Sequence, residues 1–99
     1  MKLSEAIREG AKLRPQLFNG DYYDGACSCA VGAACEAETG RTIGVGEYER
    51  SRPEFQIVVE PPTGALGEPT TLLYTILHLN DEEKWTREQI ADWVEEQGY

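Results

Sequence analysis

The sequence predicts an α+β fold that is mainly α, with about four helices packed around a small-residue central helix. A short β-hairpin is expected between the second and third helices. Three observations carry this. Residues 26–39 are almost all small and are closed by Gly40. Residues 86–97 read as a capped amphipathic helix. Phe55-Gln56-Ile57-Val58-Val59-Glu60 is rich in β-branched residues and bounded by Pro53 and by Pro61-Pro62. The 99 residues predict a single domain, residues 1–99.

The first helix is expected over residues 4–14. Ser4 is a good N-cap residue, Leu3, Ile7 and Ala11 recur at helical spacing, and Pro15 ends the ladder. Residues 15–26 read as a loop punctuated by Asn19-Gly20 and Asp24-Gly25. Between those turn signals stand Phe18, Tyr22 and Tyr23. They would either line a ligand surface or fold back as a lid over the alanine-rich helix.

The second helix is expected to begin between Asp24 and Ser28 and to end at Thr39, with Gly40 as the C′ glycine. Its small side chains would let neighbouring backbones approach closely. Residues 42–48 alternate weakly and would pair with 55–60 as the hairpin. Residues 63–69 read as loop. The third helix is expected over 70–79, on an apolar face of Leu72, Leu73, Ile76 and Leu77. In the fourth, Thr86 and Gln89 form a capping box, and Trp85 and Ile90 a hydrophobic staple. Ile90, Trp93 and Val94 are its buried stripe.

The chain carries a net charge of −9, unevenly placed. Residues 1–41 hold six acids and five bases; residues 42–99 hold twelve acids and four bases. Direct nucleic-acid binding needs a basic patch, so an acidic half would instead meet a basic protein surface or simply keep the chain soluble. The candidate contact surface is Asp81, Glu82, Glu83, Glu88, Asp92, Glu95 and Glu96. No apolar run approaches the length of a membrane span, and residues 1–5 lack the apolar core of a signal peptide. A cytoplasmic protein is expected.

All three cysteines lie in the small-residue stretch. A metal or small-ligand module would use Cys27, Cys29 and Cys35, with His78 as fourth ligand. On one continuous helix Cys27 and Cys35 would stand about 12 Å apart along the axis, too far for one ion. A thiol nucleophile would be Cys29 near a helix start, with His78 as its base. Against both stands the ordinary use of a free cysteine as a small buried residue. The sequence therefore predicts no catalytic residues, no resident metal and no cofactor, with the metal module as the alternative.

Two stretches also carry a resemblance. Cys29-Ala30-Val31-Gly32-Ala33-Ala34, and His78-Leu79-Asn80-Asp81 followed by Trp85-Thr86-Arg87-Glu88-Gln89-Ile90-Ala91-Asp92-Trp93-Val94-Glu95, resemble a loose set of small phage and prophage proteins. In that set a Cys-Ala-Leu-Gly-Ala-type helix precedes an Asn-Asp turn and a capped C-terminal helix. The resemblance covers about half of the chain and implies a mobile-element origin. It supplies neither an activity nor catalytic residues. The acidic half and the absence of a credible catalytic set lead to the expected function: an acidic accessory protein that binds a host or phage macromolecule, for example as an inhibitor or regulator of a host nucleic-acid-binding protein. For a phage-encoded chain the compartment would be the host cytoplasm.

Overall fold

The computed structural model describes residues 1–18, 21–22, 26–42, 44–62 and 67–99. Tyr23, the turn signals Asn19-Gly20 and Asp24-Gly25, Ile43 and most of the expected 63–69 loop lie outside the described residues. The fold is α+β and mainly helical, with five α-helices and one antiparallel strand pair among those residues.

Helix α1 spans Leu3–Ala11 and buries Leu3, Ser4, Ala6, Ile7 and Gly10. Its cap differs from expectation. Lys2 holds the N-cap position without a side-chain bond. Ser4 sits inside the first turn, where its N–H donates to the Tyr99 carbonyl at 3.1 Å.

Helix α2 spans Ala30–Thr39 and starts later than the composition suggested. The reason is backbone hydrogen bonding. Leu17 N–H donates to the Ser28 carbonyl and Ser28 N–H to the Pro15 carbonyl, both at 2.9 Å, while Cys29 N–H donates to Tyr22 at 3.1 Å. Residues 28 and 29 are thereby held extended beside residues 15–17. At the other end Gly40 takes the left-handed conformation, φ 72°, and returns its N–H to Glu36.

Residues 45–51 correct the expected first strand. Val45–Ser51 is a helix, α3, entered through Gly44 at φ 78°. Val45 and Tyr48 are three residues apart and both buried, a helical spacing that weak alternation concealed. The second expected strand shrinks as well. Pro53 opens a 3₁₀ turn over Pro53–Gln56. That turn buries Phe55 completely, edge-on to Tyr48 at 6.1 Å. Of the expected strand, Val58–Val59, β1, is the paired part, joined to β2, Thr70–Thr71, in the register Val58 to Thr71 and Val59 to Thr70.

Helix α4 spans Leu72–Asp81, capped by the Thr71 hydroxyl accepting from Tyr74 N–H at 3.2 Å. Helix α5 spans Arg87–Glu96 with the expected capping box. Thr86 Oγ1 accepts from Gln89 N–H at 3.1 Å, and Gln89 Oε1 accepts from Thr86 N–H at 2.9 Å.

The core is gathered on α1 and α2. Helix α2 meets α1, α3 and α4, and α5 joins through α1 and α4. The α1–α2 contact is a backbone contact. A Cβ added to Gly10 would lie 1.9 Å from the Ala33 carbonyl oxygen. Among the described residues no helix is long and apolar enough to cross a membrane.

Candidate functional site

Asn80 and Arg87 stand on mainly apolar helical stripes, and each closes a junction. Asn80 falls in line with Leu72, Ile76 and Leu79 on α4 and is fully buried. Its Oδ1 accepts from Ala30 N–H at 3.1 Å, an orphan donor at the start of α2, and from Gln16 Nε2 at 2.9 Å. Its Nδ2 donates to the Leu17 carbonyl at 2.7 Å and to Asp81 Oδ1 at 2.8 Å. Gln16 Nε2 also donates to the Trp85 carbonyl at 2.7 Å. An Asn with every site satisfied is a strong fastener in a low-dielectric interior.

Arg87 is the second. It shares the buried stripe of Ile90, Ala91 and Val94 and is 6% exposed. Its Nη1 donates to the Ser28 carbonyl at 3.2 Å and to Ser28 Oγ at 3.1 Å. Its Nη2 donates to the carbonyls of Ala11 at 3.3 Å and Arg14 at 2.7 Å, just past the negative end of α1. No carboxylate bonds this guanidinium among the described residues. Burial lowers its pKa, and nearby Glu88 works in the opposite direction. Sequence reasoning passed over both residues, although a polar side chain in register with an apolar stripe is a readable signal.

Cys29 and Cys35 are buried in the fold, and Cys27 is half-buried. All three are free thiols. Cys29 is the N-cap of α2, its sulfur accepting from Gly32 N–H at 3.4 Å. Burial pushes this thiol up to about 11 against the amides at the helix start that favour ionisation, so desolvation wins over the helix terminus. Burial also raises Cys35, whose sulfur lies 3.8 Å from Thr39 Oγ1. His78 Nε2 lies 3.2 Å from Glu83 Oε2. Among the described residues no three His, Cys, Asp or Glu side chains gather as a metal site, so Cys27, Cys29, Cys35 and His78 do not form the set proposed for one ion.

The aromatic loop residues are held by different partners. Phe18 lies under Lys84 Nζ, 5.3 Å from the ring centre. Tyr22 packs on the core and donates its hydroxyl to Glu49 Oε1 at 2.5 Å. Burial and that carboxylate both raise the phenol pKa. Tyr23 lies outside the described residues.

The acidic residues divide into those engaged within the molecule and those facing out. Asp81 accepts from Asn80, and Glu83 stands beside His78; both are half-buried. Asp92 and Glu95 are exposed but share Arg8 of α1, at 2.7 and 2.6 Å. The side chains of Glu82, Glu88 and Glu96 are exposed, and among the described residues no side-chain hydrogen bond or ion pair engages Glu82 or Glu96. Set against protein-family models, curated proteins and solved structures, the chain matches none.

Proposed function

We propose that this protein acts by binding a protein partner, without catalysis, through the acidic face formed by the 81–83 turn and the outer side of α5. The proposed partner presents a basic patch, as a nucleic-acid-binding protein does, and the proposed role is that of a phage- or prophage-type inhibitor or regulator. The observation that carries this reading is the division of polar groups. Asn80, Arg87, Gln16 and Cys29 hydrogen-bond within the fold, whereas Glu82, Glu88 and Glu96 point outward. Charge matching of that kind governs association rate and partner choice.

The test is capture from a lysate of the source cell at low and at high ionic strength, beside a combined Glu82→Gln, Glu88→Gln, Glu96→Gln variant. Screening over about 10 Å at 0.1 M salt should release a partner held by exposed charge. The expected result is a partner retained at low ionic strength, released by salt and missing from the variant. Retention that ignores both salt and variant, or no retained protein at all, overturns the reading.

A further inference from the structure

Part of the acidic face is concave. Trp85, Gln89, Asp92, Trp93 and Glu96 follow one another along one side of α5 and the residue before its cap, and with Pro62 they line an open groove of about 310 Å³. That volume lies at the small end of ligand sites, about 300–1,000 Å³, and suits one long side chain rather than a folded element. Of the two indoles in the lining, Trp93 is 6% exposed and Trp85 is half-buried and so the more accessible. Among the described lining residues none is cationic. Gln89 Oε1 is taken by Thr86 N–H, so Gln89 serves as wall. Asp92 is shared with Arg8, and Glu96 is the carboxylate without an ion pair among the described residues.

Resting on the acidic-face reading, we propose that this groove receives an arginine side chain from the partner's basic segment. The lining supplies what a guanidinium uses: indole surface for the flat cation to stack on, and a carboxylate pair at the rim to accept its forked N–H groups. A lysine ammonium would gain the charge attraction but neither the stacking nor the fork. Arg8 acts as an internal competitor, because its guanidinium holds Asp92 and Glu95 from the α1 side.

The experiment titrates the full chain at low ionic strength with a capped peptide of alternating arginine and glycine. Lysine and citrulline counterparts serve as controls, and the readouts are indole fluorescence and indole N–H signals in two-dimensional NMR. The arginine peptide should shift the Trp85 and Trp93 signals and bind about threefold to tenfold tighter than the lysine peptide. The neutral citrulline peptide should not bind. Glu96→Gln and Trp85→Leu should each weaken binding about tenfold. Arg8→Gln should tighten it by freeing Asp92. Glu96 is exposed, so its variant keeps the test decisive where Trp85→Leu loses stability. Equal affinity for arginine and lysine, unchanged by Glu96→Gln and Trp85→Leu but lost in Glu82→Gln plus Glu88→Gln, overturns the groove and leaves the acidic face standing. No response to any cationic peptide overturns both.

Discussion

Cys29 caps a helix with a sulfur atom, a weak acceptor in a position where Ser, Asp or Asn is the usual choice. Its surroundings explain the exchange. The residue is 1% exposed, and Asn80 supplies the oxygen acceptor for Ala30 N–H from across the core, so the cap residue itself serves mainly as a small apolar filler. That burial makes stability depend on alkaline pH. In the unfolded chain the thiol loses its proton near 9.0; in the fold it holds it until about 11. Between those values the folded state binds the extra proton, so stability falls as pH rises, and below them the contribution is fully present. The difference of one proton over that window amounts to about 2–3 kcal/mol. Urea melts from about pH 8 to about pH 11 should show the parent losing that much more than Cys29→Ala. A gap between the two proteins that stays constant across the window would mean the buried thiol ionises as freely as in the unfolded chain.

At the scale of elements, the contact between α1 and α2 sets the architecture. The small residues of α2 read correctly as a close-packing surface, because Ala, Gly and Cys over more than two turns leave room only for another backbone. The partner face was harder to see. Gly10 lies in a stretch whose spacing is already helical, and a lone helical glycine carries no sign of what it touches. Gly10→Ala should destabilise by about 3 kcal/mol, since the added methyl would meet the Ala33 carbonyl at 1.9 Å and both helices must separate. Ala33→Leu should act in the same direction, by about 1–3 kcal/mol. Denaturant midpoints within error of the parent for both would remove this contact from the stabilising core. The capping box of α5 was legible for a related reason: it is local, so no distant residue can revise it. Residues 42–60 were not legible, because Phe55 and Tyr48 find each other only in three dimensions. Tertiary burial of those rings outweighs the β-propensity of the Ile57-Val58-Val59 run, of which two residues remain paired.

At the scale of the molecule, the chain converges on one junction. Ala11, Arg14, Gln16, Leu17, Ser28, Ala30, Asn80, Trp85 and Arg87 are tied by hydrogen bonds that cross between 11 and 76 positions of sequence. The stretches singled out by resemblance meet there: Ala30 from the first, Asn80 and Arg87 from the second. Both stretches were visible in sequence, while the hydrogen bonds that join them needed the coordinates. Arg87 is the member whose loss would separate most of the others, since one guanidinium spans the end of α1 and the extended residues before α2. Arg87→Met keeps much of the aliphatic stem and its packing but strips the guanidinium donors from the half-buried carbonyls of Ala11 and Arg14, while the Ser28 carbonyl keeps Leu17 N–H. Each unsatisfied group costs about 1–3 kcal/mol, with part recovered by water, so the expected loss is about 3 kcal/mol. Arg87→Lys should recover less than half of it, because a single ammonium cannot reach Ser28 and Arg14 together in the geometry of a planar fork. Urea denaturation measures the loss, and amide exchange at Leu17 and Ser28 locates it. Unchanged stability in Arg87→Met would show that the carbonyls find other donors, and that the junction holds without the guanidinium.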